Sequence, residues 1–294
     1  MQNLVQVSTK AIIDYDYNET RENVKRVGSV VTFLNLLQTN ENKFERYSLF
    51  FRGHNDVTYD LTPSIYRKKH WLENENRFYR ELMLRCPQDF QSANIVFQKL
   101  VKMQHYALPT RLLDITSNPL IALFFATEQK VEDDRDGEVV ILKIPKEDIK
   151  YYDDAGVSVL SNISKQPLEL DNDNLMTQDD FNSLLHDVRV DGCYVNNEIE
   201  IRHLNKVLCV KPQMDNPRII KQDGLFLLFG IDGAKNKPAK IPESYLNPYS
   251  FIIIIPKEFK EKIRNQLEVC GISPSTVYPE IEHVANHLKS KFNV

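Results

Sequence analysis

Apolar and polar positions fall into blocks along this chain, and the period of the blocks changes near its middle. In the first half the apolar residues recur at helical spacing. From Ser29, a cap candidate, Val30, Val31, Phe33, Leu34, Leu36 and Leu37 mark an amphipathic helix. Residues 73–90 set Arg and Glu on one side of a predicted helix and Phe78, Leu82 and Met83 on the other, with Pro87 placed to end it. A further helix over residues 93–106 is marked by Ile95, Val96, Leu100 and Met103. Between these helices, Ser48 to Gly53 reads as a buried strand ending at glycine. A turn follows at His54-Asn55-Asp56, then an extended loop from Leu61 to Ser64.

The second half is richer in strand patterns. Val139 to Ile144 follows an exposed turn, Asp133 to Gly137, and is closed by Pro145. Lys206–Val210, Leu225–Phe229 and Phe251–Ile255 are further strands, and Pro256 stops the last. Helices are predicted from Lys257 to about Val269 and from Ile281 to Phe292. Residues 150–200 are acidic and Asn-rich and read as an irregular insertion or lid, while Gly230 to Lys240 reads as a flexible, weakly basic loop. With no internal repeat and no clean linker, the pattern predicts one α+β domain over residues 1–294. Helices of the first half pack on a mixed or mostly antiparallel sheet, with core motifs at 28–145 and 205–288.

The central stretch runs from Gln104 to Pro119 and leads into Pro-Leu-Ile-Ala-Leu-Phe-Phe-Ala, residues 119–126. That run is too short to span a membrane and reads as a core helix, with Asn118 as N-cap and Pro119 in the first turn. Its entrance carries Arg111, Asp114, Thr116 and Ser117. Charges beside a segment that demands burial need partners. A helix N-terminus with a guanidinium and hydroxyls nearby suits a phosphate or another anion. An internal Arg111–Asp114 bridge that pins a loop accounts for the same residues.

Composition narrows the classes. The chain has 294 residues, 42% hydrophobic and 27% charged, with a net charge of −4, so no basic excess advertises nucleic acid. Cys86, Cys193, Cys209 and Cys270 are scattered, which predicts reduced thiols rather than a zinc site or a disulfide framework. His283 and His287 lack a third ligand at useful spacing, so no metal site is expected. No signal segment is visible at Met1, and a cytoplasmic location without membrane association is expected. Phosphate-loop, dinucleotide-fingerprint and serine-elbow motifs are missing from the sequence.

Several of these pieces together are recognisable. Phe51-Arg52-Gly53, then Leu61-x-Pro63-Ser64-x-Tyr66-Arg67, then Gln104-His105-Tyr106-x-Leu108-Pro109-Thr110-Arg111-Leu112-Leu113-Asp114-x-Thr116-x-Asn118-Pro119 closely resemble the FRG domain, named for its Phe-Arg-Gly tripeptide. Arg218-x-x-x-Gln222-x-Gly224-x-Phe226 and Gly271-Ile272-x-x-x-Thr276-Val277-Tyr278-Pro279 resemble its later boxes. Ala107 stands where the family usually has Gly, and Ile115 where Trp is common. The resemblance implies a prokaryotic or phage-conflict (defence) setting.

A weaker resemblance, in the order of elements, is to ADP-ribosyltransferases, with NAD as the implied ligand. It gives Arg52 a phosphate-clamping role, which the bidentate geometry of guanidinium supports, with Gly53 allowing close approach. Thr116 and Ser117, beside Arg111, Asp114 and Asn118, would hold the ribose. Glu200 or Gln222 would polarise a ribose hydroxyl, although a neutral glutamine cannot counter developing positive charge as a carboxylate does. His105, before the central loop, is a candidate general base or ribose contact. Three classes stay open: an NAD-processing or ADP-ribosyl-transferring enzyme, a non-catalytic nucleotide sensor, and a protein-interaction module. The partners these imply are a nucleotide or phosphate-bearing ligand, or a protein.

Overall fold

The computed structural model of the chain describes residues 24–38, 46–128, 135–167, 178–193, 199, 201–246 and 252–280. Its centre is a mixed sheet. The strands are β1 (Val24–Arg26), β2 (Tyr47–His54), β3 (Leu112–Thr116), β4 (Gly137–Pro145), β5 (Ile149–Tyr151), β6 (Val207–Lys211), β7 (Gly224–Phe229) and β10 (Ile252–Ile255), with a separate hairpin of β8 (Ile231–Asp232) and β9 (Ala234–Pro238). The main sheet runs β1-β10-β4-β2-β3-β7-β6-β5. Only the edge pairs β1/β10 and β5/β6 are parallel. The continuous apolar runs of β4 and β7 are those of strands covered on both faces.

Eight helices matter below: α1 (Val30–Gln38), α2 (Glu75–Arg85), α3 (Val96–His105), α4 (Pro119–Ala126), α5 (Ala155–Asn162), α6 (Gln178–Val190), α7 (Pro217–Lys221) and α8 (Lys260–Val269). Strand alternation divides the burial. Phe50, Leu113, Ile115, Val140, Leu142, Leu225 and Leu227 pack together on one face with Ala239, Ile241 and Tyr245. The opposite face carries two helical clusters. Phe51, Val139, Ile141 and Ile253 meet α1, α4 and α8. Leu112, Phe226 and Leu228 meet α3, α5 and α6.

The helices and strands of the α+β reading are present, with four corrections. The central motif is no loop: Leu112–Thr116 is an inner strand, paired along its length with β7. β2 does not end at Gly53 but runs on through His54, opposite Glu138 of β4. Within the acidic stretch, α5 and α6 are regular helices, and Val157, Leu160, Leu184 and Val188 are core residues. The basic loop forms the β8–β9 hairpin, in which Lys235 is buried rather than solvated. The expected final helix, Glu200, His283 and His287 lie outside the described residues. Among the described residues, no helix is long and apolar enough to cross a membrane.

The end of α3 holds a backbone oddity at the position where Gly was expected. Ala107 has φ 60°, and the N–H groups of Ala107 and Leu108 turn back to the carbonyls of Gln104 and Met103. A left-handed cap of this kind favours glycine. The conformation costs a β-carbon about 1–2 kcal/mol, against about 0.5–1 kcal/mol of extra unfolded-chain entropy for glycine. Ala107→Gly should therefore stabilise the protein by about 0.5–1 kcal/mol in urea denaturation, and a lower midpoint would oppose this account.

Candidate functional site

β2 and β3 are adjacent but share a single register pair, Phe51↔Thr116, whereas β2 pairs with β4 over its full length. A cleft of about 190 Å³ opens at this thinly paired seam, where α3, α4 and α7 converge. Its polar lining is Arg52, Gln104, His105, Asp114, Thr116, Arg218 and Gln222, and Phe51, Phe125 and Phe226 supply apolar wall. Segments far apart in sequence thus meet at one place.

Arg52 enters from β2, half-buried. Its Nε donates to His54 Nε2 at 2.7 Å, and Nη1 donates to the backbone carbonyl of Asp114. Burial, partly offset by the Asp114 charge, brings its pKa down to about 10, so it remains a cation at neutral pH. No acceptor is bonded to Nη2 among the described residues.

Asp114 is the one charged position of β3 and is exposed in the middle of that strand. Its Oδ2 accepts from Gln104 Nε2 at 2.8 Å. The amide of Gln104 is held in that orientation because its Oε1 accepts from Thr110 Oγ1 at 2.5 Å. Asp114 therefore touches Gln104 and lies beside Arg52, with carboxylate capacity left over.

His105 ends α3. Asn216 is the N-cap of α7 and spends its Oδ1 on Arg218 N–H at 2.8 Å, so its Nδ2 donates to His105 Nδ1 at 2.9 Å. His105 is then neutral with its proton on Nε2, and burial followed by the Arg218 charge lowers its pKa. Its basic nitrogen is occupied, which argues against the general-base role and leaves Nε2–H as a donor. Arg218 leans on the Tyr278 ring, 5.0 Å from its centroid, and lies 3.6 Å from Glu280.

The remaining sequence candidates divide. Gln222 lines the cleft and its Nε2 donates to the Val277 carbonyl at 3.2 Å. Thr116 also lines it, but its hydroxyl donates to the Gln222 carbonyl at 2.6 Å and accepts from Asn118 N–H at 2.9 Å. Ser117 N–H donates to the Asp223 carbonyl, and Asn118 binds the Asp223 carboxylate at 3.0 Å while capping α4 through Leu120 N–H. These three residues pin the turn before β7, and Ser117 and Asn118 do not line the cleft.

Arg111 is not in the cleft. It is fully buried and forms a two-pronged pair with Glu75, at 2.8 and 2.6 Å, instead of a bridge to Asp114. Gly53 lines the cleft, yet its missing side chain serves α4: a β-carbon there would overlap the Ala122 carbonyl oxygen.

Sequence reasoning passed over Gln104, Arg218 and His54 as site residues. Gln104 and Arg218 open two of the boxes quoted above, which was the available signal. His54 was hidden by its place after a glycine.

Residues 47–135 match the family model of the FRG domain. An FRG domain is therefore present, and the matched segment contains Arg52, Gln104, His105 and Asp114, whereas Arg218 and Gln222 lie beyond it. No curated protein and no solved structure matches the chain.

Proposed function

We propose that this FRG-domain protein binds a phosphate-bearing nucleotide, of the NAD or ADP-ribose class, in the cleft at the β2/β3 seam. The observation that carries this reading is the state of Arg52: its Nε and one Nη1 donor are held by the protein, and its Nη2 end is left for an anion. Guanidinium is suited to phosphate oxygens in this end-on manner. Arg218 supplies a second cation in the same lining, and Asp114 and His105 Nε2–H supply an acceptor and a donor for a ribose. At about 190 Å³ the cleft takes a phosphate and ribose rather than an entire dinucleotide, whose base would extend outside. In the conflict setting implied by the FRG resemblance, such a ligand would be a nucleotide signal or NAD itself.

The test is a thermal-shift panel with NAD, ADP-ribose, ATP and cyclic nucleotides on wild type and Arg52→Ala. A native-state ligand at 100 times its Kd adds about 2.7 kcal/mol, a shift of a few degrees. The expected result is such a rise for one compound in wild type and its loss in a folded Arg52→Ala. No shift in wild type with any compound ends the nucleotide reading and favours an interaction module.

Catalysis is a second reading, favoured by the position of Asp114. Glycosyl or ADP-ribosyl transfer needs a carboxylate near developing positive charge. Gln222, tied to Val277, cannot supply one, whereas Asp114 lies in the cleft lining beside Arg52. Nicotinamide release from NAD by wild type, lost in Asp114→Asn while binding persists, would establish an enzyme. Binding without turnover would establish a sensor.

A further inference from the structure

β2 alternation sets Arg52 and His54 on the same side of one strand, and the register sets Glu138 of β4 directly opposite His54. His54 and Glu138 are both nearly inaccessible, 3% and 1% exposed. His54 Nδ1 lies 2.8 Å from Glu138 Oε1, and His54 Nε2 lies 2.7 Å from Arg52 Nε. The hydrogen assignment follows from chemistry. Arginine Nε–H can only donate, so His54 Nε2 must be an unprotonated acceptor. The ring proton then sits on Nδ1 and is donated to the carboxylate. A single tautomer satisfies all three groups.

We propose that Glu138 and His54 are positioning residues for Arg52, forming a buried carboxylate–imidazole–guanidinium relay that aims the open end of Arg52 at the cleft. The ligand-binding part of this proposal rests on the nucleotide reading above; the relay itself does not. Imidazole connects the buried Glu138 carboxylate to the half-buried Arg52 guanidinium, so each of the two opposite charges meets a ring nitrogen of the correct donor or acceptor sense. The Nε edge of Arg52 is consumed, and a ligand meets only the Nη end.

The arrangement has a built-in failure point. Protonating His54 would place an N–H against an N–H and a cation against a cation, expelling Arg52 from its position. The groups facing His54 are Arg52 on β2, Glu138 on β4, and Arg67 at the end of the 3-10 turn Ser64–Arg67. Tyr59 lies between His54 and Arg67, its ring 6.1 Å from the His54 ring and 5.9 Å from the Arg67 guanidinium carbon. Burial, reinforced by Arg52 and Arg67, holds His54 well below the usual histidine value. The sign is that of a depressed group: the stability gained from a neutral His54 is complete above about 6.5 and declines as pH falls below it, whereas the relay itself stays intact until pH reaches the lower folded-state value.

The decisive experiment needs no ligand. Protein carrying ¹⁵N-histidine is followed by long-range ¹H–¹⁵N correlation from pH 8 to 5, with His54 assigned from the signals missing in His54→Leu/Glu138→Leu. That double variant replaces both partners by apolar side chains and leaves no buried carboxylate orphaned. The proposal expects a neutral ring protonated on Nδ1, still neutral when exposed histidines have titrated. A proton on Nε2, or titration near pH 6.5, overturns it. ADP-ribose titration then reads the consequence for Arg52. The folded double variant should bind about tenfold or more weakly than wild type, the scale of a lost hydrogen bond to a charged group. Equal affinity in the two proteins would show that the relay does not position Arg52. If wild type binds no ADP-ribose, the nucleotide reading fails, while the tautomer measurement still decides the relay.

Discussion

Glu75→Gln is expected to cost about 3–5 kcal/mol of folding stability, because it leaves two buried cations without their anion. Glu75 begins α2 and is 3% exposed. Its carboxylate receives Arg111 Nε and Nη2 at 2.8 and 2.6 Å, and Lys235 Nζ lies 3.0 Å away. Arg111 also donates to the Phe229 carbonyl at 3.2 Å, and Lys235 to the Gln166 carbonyl at 2.5 Å. Burial alone would raise the Glu75 pKa, but Arg111 and Lys235 outweigh it and hold the group at about 2. That is a depressed carboxyl. Its stabilisation is complete above the unfolded value near 4.5 and is lost as pH falls toward 2. Glu75→Gln should therefore also flatten the acid limb of the stability–pH curve in that window. Lys235→Met provides the contrast, since it leaves Arg111 and Glu75 as a one-to-one pair and should cost only about 1 kcal/mol. Urea denaturation of both variants checks the ranking. Equal costs would mean that the buried charges are not compensated in the way the geometry implies.

That cluster also shows why the sequence misdirects at Arg111. The reading of a charged residue before a core helix as either ligand-binding or bridged to Asp114 used near neighbours only. The true partner lies 36 positions earlier, on the buried face of α2, a helix whose other charged residues are exposed. Helical spacing does set Glu75 on the face of Phe78, Tyr79 and Leu82, while Glu81 pairs with Arg85 at the surface, but that spacing names no distant partner for it. Lys235 was misread for the same reason: a lysine in a Gly- and Lys-rich stretch looks solvated until the chain is folded. By contrast, β4 and β7 were legible because an uninterrupted apolar run with β-branched and aromatic residues leaves few alternatives. β3 was not, because five residues centred on an aspartate carry no strand period, and the helix after it dominates the pattern.

The candidate site was legible as a set of motifs but not as a place. Arg52, His105, Asp114, Thr116 and Gln222 do meet in one cleft, while Ser117 and Asn118 lie beside it, holding the Asp223 turn. The hydroxyl of Thr116 is spent on backbone groups, a use that residue type alone cannot reveal.

Gly53→Ala is expected to abolish cooperative folding, although it adds one methyl group. The β-carbon would overlap the Ala122 carbonyl oxygen and lie 2.8 Å from both the Ala122 carbonyl carbon and the Ala126 nitrogen. All three obstacles are backbone atoms, so no side-chain rotation relieves them. α4 would have to lift from β2, and with it Ile121, Leu123 and Phe124, each at most 4% exposed. Overpacking ordinarily costs about 1–3 kcal/mol, and a rigid backbone obstacle puts this substitution above about 4 kcal/mol, a large part of a domain's stability. Gly224→Ala is the matched control. Gly224 also belongs to a family box and lines the cleft, but its nearest obstacle is the Ile219 carbonyl at 3.5 Å, an ordinary contact. Thermal unfolding followed by circular dichroism should show a wild-type-like transition for Gly224→Ala and none for Gly53→Ala. A native-like transition in Gly53→Ala would mean that α4 does not seat on β2 as described. The Phe-Arg-Gly tripeptide then has three separate tasks: Phe51 fills the core with α4, Arg52 turns toward the cleft, and Gly53 lets the helix backbone close on the strand. Strand alternation turns Arg52 away from the face that Phe51 and Gly53 present to α4, and its guanidinium reaches the thinly paired β2/β3 seam, where it donates to the Asp114 carbonyl.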